Sequence, residues 1–313
     1  MPPQVYRLIE GIRLSYYFRS DKVHTALAYK PQPDDVFIVS YPKCGATWVR
    51  QLLFAIFTDG APPRDIFELF RRVPFLESSG VEGIEHMPRP GAIKTHFTFG
   101  KHPYSKNSKY IYIARNPYDC CVSYYYHTKS FPAYFFQEGT FDEFFEMFVG
   151  GQVEFGDYFD HLLSWYEHRH DANVLLLTYE GLKRDTKTWL FKIADFLGRE
   201  HGEKLRNDPG LVNSILNVSS LENMRRLCNT CHVSTENQAH VNDEAPGSHE
   251  SHQDKQVTEA LKKPRTGEFV RKGTVGDWRN HFSPEQEARM RSWIGKRAAG
   301  SDVMQMWDED VLP

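Results

Sequence analysis

The sequence predicts an α/β protein in which a central, mostly parallel β-sheet is flanked by helices within a single domain. Short apolar runs alternate along the chain with longer segments of helical periodicity, the pattern of strand–helix–strand units. The first such strand is followed directly by a glycine-containing loop and a helix, an order typical of P-loop-like phosphate-binding loops. The 313 residues suit one large domain spanning the chain.

Four segments are predicted to be strands of this sheet. Each is a short apolar run of the kind that is buried in a parallel sheet. They cover residues 36–40, 91–97, 110–114 and 173–179. Helical spacing of apolar residues occurs in segments 47–58, 64–72, 141–149, 157–169 and 185–197.

A further helix is expected directly after the third strand. Asn116 and Pro117 stand there, and asparagine caps helix N termini while proline suits the first helical turn.

Residues 228–268 interrupt the alternation of strands and helices. They are polar, rich in His, Asn, Glu and Lys, and show little periodicity, so we expect a mobile lid over a functional site. Residues 228–232 match the CxxCH haem-attachment pattern, but haem attachment needs an export context that this sequence does not show. The histidines that offer a zinc site instead are His232, His240, His249 and His252. We expect no bound metal.

Composition argues against several classes of protein. The formal net charge is −3, so no global field attracts nucleic acid or an anionic membrane. Five cysteines are odd in number and too few for a disulfide scaffold, which favours a reducing compartment and a cytoplasmic location. The chain shows neither a secretory h-region nor a run of about 18 apolar residues. Its 14% of aromatic residues suits an apolar pocket for a ring-shaped ligand.

Polar side chains stand at the ends of the predicted strands. Lys43, His96, Arg115 and Tyr179 occupy these positions, and ligands bind beyond the carboxyl ends of parallel strands. We therefore expect an anion site there. The loop at 41–46 follows P-loop logic, since its N–H groups and a helix N terminus would face a phosphate. The GxxxxGK[ST] motif is absent, however, so a nucleotide kinase remains only an alternative.

Six segments together resemble the cytosolic sulfotransferase family. They occur in the order of that family and at similar separations over most of the chain. They are YPKCGATW at 41–48, KTHF at 94–97, ARNPYDCCVSYYYH at 114–127, TYE at 178–180, SSLENM at 219–224 and RKGTVGDWRNHF at 271–282. The resemblance implies an enzyme that moves a sulfuryl group from 3′-phosphoadenosine-5′-phosphosulfate (PAPS) to a small-molecule hydroxyl, leaving adenosine 3′,5′-bisphosphate (PAP), without a metal.

The resemblance also implies three catalytic residues. His96 would be the general base, since a neutral imidazole can take a hydroxyl proton near pH 7. Lys43 would stabilise charge on the bridging oxygen of the leaving bisphosphate. Lys94 would support the sulfuryl oxygens or the acceptor.

The implied cofactor site combines the first loop with later segments. Arg115 and Ser123 would hold the 3′-phosphate together with residues 271–273, and Trp48 would stack on adenine. The full implied set is Lys43, Cys44, Gly45, Ala46, Thr47, Trp48, Arg115, Ser123, Tyr179, Ser219, Leu221, Met224, Arg271, Lys272 and Gly273.

The acceptor implied by the resemblance is a phenol, a catecholamine or an alcohol such as a steroid. An aromatic pocket would hold it, lined by Phe18, Phe75, Phe97, His127 and Phe131. Two alternatives remain within the family: a dehydratase that acts through a sulfated alcohol, and a non-catalytic PAPS-binding protein.

Five positions depart from the pattern of the family. Cys44 replaces the usual Ser, Ala46 a frequent Thr and Leu221 a common aromatic residue. The family's dimer motif would fall at residues 279–288, where Pro284 and Ala288 replace its Val and Glu. A homodimer formed through that motif is therefore not expected.

Overall fold

The computed structural model describes residues 5–229, 256, 259–260, 262–307 and 311–312. The chain begins with an antiparallel hairpin of β1 (Tyr6–Ile9) and β2 (Ile12–Ser15). The sequence analysis did not predict this hairpin. Most of the predicted lid lies outside the described residues, as do Cys231 and the four histidines of the zinc alternative.

A parallel four-stranded sheet forms the centre of the fold and confirms the predicted fold class. Its strands are β3 (Val36–Val39), β4 (Ile93–Thr95), β5 (Lys109–Ala114) and β6 (Val174–Thr178). They lie in the order β4-β3-β5-β6, and each neighbouring pair is parallel.

Helices cover both faces of this sheet. All five predicted helical segments form helices, and others occur that were not predicted. In chain order they are α1 (Ser20–Leu27), α2 (Ala46–Phe57), α3 (Ile66–Arg72), α4 (Leu76–Glu85), α5 (Pro117–Ser130), α6 (Phe141–Val149), α7 (Tyr158–Tyr166), α8 (Tyr179–Arg184), α9 (Thr186–Leu197), α10 (Arg199–Asn207), α11 (Pro209–Val218), α12 (Leu221–Asn229) and α13 (Pro284–Arg297). Helix α5 begins as predicted, with the Asn116 side chain accepting a hydrogen bond from the Asp119 N–H.

Side chains of the central strands alternate between two hydrophobic cores. Phe37 and Val39 of β3 pack into one core, while Val36 and Ile38 pack into the other, as the period of two in a strand requires. Every β3 residue is buried. This explains why β3 reads as a continuous apolar run and not as a polar–apolar alternation.

Two predicted strands end earlier than their apolar runs. The β4 ladder stops at Thr95 because the His96 N–H donates to Glu77 Oε1 at 2.5 Å instead of to a neighbouring strand. Strand β6 stops at Thr178, whose side chain caps α8, so that Tyr179 is the first residue of that helix. Side-chain hydrogen bonds to the backbone thus determine both strand ends.

No helix in the described ranges is long and apolar enough to cross a membrane.

Candidate functional site

A cavity of about 520 Å³ opens at the carboxyl edge of the sheet. It collects side chains from the residues that follow all four strands, from α5 and α12, and from residues 265–274. The sequence-predicted residues that line it are Phe18, Lys43, Gly45, Ala46, Thr47, Trp48, Phe75, Lys94, His96, Arg115, Ser123, His127, Phe131, Tyr179, Ser219, Leu221, Met224, Arg271, Lys272 and Gly273. Residues separated by more than 250 positions in sequence therefore meet at one site.

Two predicted site residues point elsewhere. The Cys44 thiol is buried, with its Sγ 3.7 Å from Cys120 Sγ, and the Cys44 N–H donates to the Tyr41 carbonyl. Phe97 is 1% exposed and packs in the core under the sheet, where its carbonyl accepts the Trp165 indole N–H at 3.0 Å. Neither side chain lines the cavity.

The first loop adopts a backbone conformation that directs it at the cavity. Lys43 has φ of 69° and Gly45 has φ of 111°. A Cβ at Gly45 would lie 2.8 Å from Tyr179 Cδ2, so both the positive φ and the close approach require glycine. Helix α2 begins at Ala46. The Trp48 and Val49 N–H groups donate to the Gly45 carbonyl at 2.9 and 3.2 Å. The N terminus of a helix carries a partial positive charge, which suits an anion.

His96 is held in one orientation beside two aromatic rings. Its Nδ1 lies 2.6 Å from the Ser40 carbonyl oxygen, which assigns Nδ1–H as a donor and leaves the lone pair on Nε2. The rings of Phe75 and Phe155 lie edge-on to the imidazole at centroid distances of 5.1 and 5.2 Å. Burial, reinforced by the charge of Lys94, lowers the pKa of His96 well below its usual value. The imidazole is therefore neutral at pH 7.

The cations around the first loop repel one another. Lys43 Nζ lies 4.4 Å from the centroid of the Phe269 ring. Burial lowers the pKa of Lys43 well below its ordinary value, and the charges of Arg265, Lys94 and Arg115 lower it further. A bound anion would offset both effects, so this donor set fits an anionic ligand.

Arg115 lies between the first loop and the C-terminal segment. It is 8% exposed, and its guanidinium carbon lies 4.4 Å from the centroid of the Tyr179 ring. Arg115 Nη2 donates to the Thr274 carbonyl at 3.2 Å, and Nη1 lies 3.5 Å from the Lys43 carbonyl. Ser123 lines the same cavity from α5. Arg115 and Ser123 thus line one cavity, and their role in holding a phosphate stays a prediction.

Residues 271–273 also line the cavity, but their cations are already paired. Arg271 Nη2 and Lys272 Nζ each lie 2.6 Å from a carboxylate oxygen of Asp277. Gly273 has φ of 66°, and a Cβ there would lie 2.6 Å from Leu221 Cδ1. The sequence analysis did not predict the pairing with Asp277, which leaves these two side chains less net charge to offer an anion.

The residues proposed for adenine form one wall of the cavity. Trp48 Nε1 donates to the Ser219 carbonyl at 3.0 Å, and the Trp48 and Tyr179 rings pack edge-to-face at 5.6 Å. Leu221 and Met224 lie on α12 and line the same cavity. The Ser219 hydroxyl and the Ser219 N–H both donate to the Ile215 carbonyl, at 2.7 and 3.0 Å, so both donors of Ser219 are engaged at the end of α11.

Several residues of the cavity were not predicted from the sequence. Arg265 comes from the segment predicted as a lid, and Phe269 directly follows that segment. Glu154 is a buried carboxylate in the wall. Its position between the apolar residues Val153 and Phe155 could have indicated a buried carboxylate in the sequence, because a charged residue in apolar surroundings is usually paired.

Only part of the Cys/His motif at 228–232 belongs to the described residues. Cys228 lines the cavity, whereas residues 230–232 lie outside the described residues. Within the part of the chain that is described, no three His, Cys, Asp or Glu side chains are placed to hold a metal ion. The expectation of a metal-free protein stays a prediction.

Comparison with protein families identifies one that spans most of the chain. Residues 33–302 match the sulfotransferase domain family. The chain is 33% identical over 314 residues to sulfotransferase 1A1 of Rattus norvegicus, with 96% of each chain covered. It is 34% identical over 310 residues to sulfotransferase 1 family member D1 of Mus musculus, covering 94% of this chain and 93% of the relative.

A solved structure shares the architecture. Mouse sulfotransferase SULT7A1, crystallised in complex with PAP, superposes with a TM-score of 0.69 at 25% sequence identity, covering 96% of this chain and 97% of the other. The sheet and the cavity described above therefore lie in a fold shared with that protein.

Proposed function

Because this chain belongs to the sulfotransferase family, we propose that it transfers a sulfuryl group from PAPS to a hydroxyl group of a small molecule, with His96 as the general base. The observation that carries the proposal is the orientation of His96. Its Nδ1 is committed to the Ser40 carbonyl at 2.6 Å, and the residue lines the same cavity as Lys43 and Lys94. A neutral base and two lysine side chains therefore share one site.

Several features of the chain support PAPS as the donor. The positive end of α2, the crowded Gly45 turn and the mutually repelling cations suit the phosphosulfate. Arg115 and Ser123 would hold the 3′-phosphate, since a guanidinium suits bidentate phosphate binding. Trp48 would pack on adenine. Gly45, Ala46 and Thr47 would bind through the backbone.

His96, Lys43 and Lys94 each have a separate role in the proposed transfer. When bound, PAPS supplies a sulfuryl group on a phosphosulfate anhydride. His96 Nε2 accepts the proton of the acceptor hydroxyl as the new O–S bond forms and the bridging S–O bond breaks. Lys43 stabilises the negative charge left on the bridging oxygen, while Lys94 orients the transferred group. Such a transfer depends mainly on positioning and charge stabilisation, as in phosphoryl transfer.

The walls of the cavity support a ring-shaped acceptor. Phe18, Phe75, Phe131 and Phe155 line it beside His96. The direct test is a screen of phenols, catecholamines and hydroxysteroids with labelled PAPS, followed by mass spectrometry of the products. A sulfated product supports the proposal. A dehydrated product would identify a dehydratase, and binding of PAPS without any product a non-catalytic binder. ATP turnover with magnesium would instead indicate a kinase.

We expect PAP to bind without a metal. The anion site is built from protein cations and helix N–H groups, so thermal unfolding in EDTA should shift upward as PAP is added, because a ligand of the native state raises its stability. Added magnesium should leave the shift unchanged. No shift at saturating PAP would contradict the proposed cofactor site.

We expect Arg115→Ala to weaken the binding of PAP. Loss of a charged hydrogen bond to phosphate costs about 1.5–3 kcal/mol, which is about one to two decades in Kd. Calorimetric titration with PAP measures the effect. The control is Arg64→Ala, which removes an exposed arginine paired with Glu68 away from the cavity. An unchanged Kd for folded Arg115→Ala would remove Arg115 from the site.

A further inference from the structure

His96 follows β4, the strand at one edge of the sheet. On the side of β4 that faces away from β3, the Lys94 N–H donates to the Pro74 carbonyl at 2.8 Å, beside a parallel bridge between Phe75 and Lys94. The next N–H on that side belongs to His96, and it donates to Glu77 Oε1 at 2.5 Å. A side-chain carboxyl group thus continues a ladder that a backbone carbonyl begins.

Glu77 lies in the first turn of α4, which begins at Leu76. The Phe75 carbonyl already accepts the Ser79 N–H at 2.8 Å. Because a helical backbone cannot extend a parallel ladder, the acceptor for His96 has to come from a side chain. The position of Glu77 in the first turn also suits an acidic group.

Glu77 Oε1 connects the residues on both sides of His96. It also accepts the Thr95 hydroxyl at 2.9 Å, and Thr95 Oγ1 accepts the Phe97 N–H at 3.1 Å. Burial raises the pKa of Glu77 to about 7, while the two donors favour its charged form. A carboxyl group with a proton on Oε2 still accepts at Oε1, so this network does not depend on the charge.

The imidazole of His96 is held separately from its backbone. Its Nδ1 lies 2.6 Å from the Ser40 carbonyl oxygen, and the Ser40 N–H donates to the Thr95 carbonyl at 3.3 Å. Ser40 directly follows β3, whereas Glu77 belongs to α4. The direction of His96 Nε2 therefore depends on two contacts from different elements, one to the ring and one to the backbone.

We propose that Glu77 is a positioning residue, which fixes the backbone at residues 95–97 so that His96 Nε2 faces the acceptor hydroxyl. Glu77 is fully buried and does not line the cavity, so it acts through His96. Misplacing a reacting group by about 1 Å can lower a rate about 100-fold. The effect on rate rests on the proposed sulfuryl transfer, whereas the effect on the imidazole does not.

Glu77→Met tests this role, because methionine keeps the approximate length of the side chain and removes the acceptor. Turnover of a hydroxysteroid should fall about 10- to 100-fold, with a smaller loss for 4-nitrophenol and little change in the affinity for PAP. Glu77→Gln keeps an oxygen acceptor and should restore most of the rate. In a His96→Ala background, Glu77→Met should cause little further loss, since no imidazole remains to be positioned.

Asp35→Leu is the matched control, since Asp35 is a second buried carboxylate. It directly precedes β3 at the other end of the sheet, accepts the Tyr29 hydroxyl at 2.6 Å and does not line the cavity. Its loss should lower the stability without favouring one acceptor over the other. Glu77→Asp keeps the carboxyl group but shortens its reach, and should show a smaller form of the same difference between acceptors if Glu77→Met does not fold.

NMR of the imidazole nitrogens in protein labelled with ¹⁵N-histidine separates this inference from the proposed function. The signals that His96→Ala removes should show the Nδ1–H tautomer in the wild-type protein and in Glu77→Gln, and a mixture of tautomers in Glu77→Met. This tautomer change in a protein that sulfates no acceptor would overturn the sulfotransferase proposal alone. Equal losses for both acceptors, an undiminished effect in the His96→Ala background, or unchanged ring signals in folded Glu77→Met would each overturn the role of Glu77.

Discussion

His96→Ala should lower the turnover of a hydroxysteroid by at least about 100-fold, the lower bound for general-base catalysis, while the affinity for PAP changes little. The imidazole acts on the acceptor hydroxyl and not on the nucleotide. The loss should be smaller for an acidic phenol such as 4-nitrophenol, which ionises without help. The measurement compares the turnover of both acceptors by the variant and by the wild-type protein, with the affinity for PAP determined in parallel.

The His96→Ala experiment needs a measurement of stability and a control variant at another histidine. Removing the imidazole leaves the Ser40 carbonyl without its partner, so some loss of stability is expected, and thermal unfolding measures it. His102→Ala is the matched control, since His102 is also buried but packs against Phe37 in the core and does not line the cavity. It should affect both acceptors alike. Equal losses for both acceptors in His96→Ala, or loss of PAP binding, would mean that His96 is structural.

Lys43→Met should lower kcat by about 100- to 1,000-fold, the usual effect of removing one group that stabilises charge developing in a transition state. Methionine keeps the length and the packing on Phe269 but not the charge. The loss in kcat should exceed the loss in PAP affinity, because the charge on the bridging oxygen grows as the bond breaks. Single-turnover rates and PAP titrations measure the two quantities.

Two further variants sharpen the Lys43 experiment. Lys43→Arg keeps a cation at the loop and should retain part of the rate. Lys106→Met removes an exposed lysine from the loop between β4 and β5 and should retain the wild-type rate. A kcat close to that of the wild-type protein for folded Lys43→Met would exclude Lys43 from the stabilisation of the leaving group.

The sequence by itself determined the fold class and identified many of the residues that line the cavity. Continuous apolar runs such as 36–40 predicted a sheet buried on both faces, because parallel strands covered by helices contact no water. Residues at strand ends, including Lys43 and Arg115, were predicted to meet because parallel strands end at one edge. Asn116 predicted the start of α5 correctly, since capping depends only on local chemistry.

The tertiary structure decided what depends on partners distant in sequence. The β4 ladder ends at Thr95 because Glu77, from another element, takes the His96 N–H. The pairing of Arg271 and Lys272 with Asp277 depends on the path of the C-terminal segment and not on composition. Arg265 lies in a polar stretch without periodicity, and only the packing of that stretch on the end of α5 brings its charge into the cavity. Local propensities carry no information about such long-range contacts.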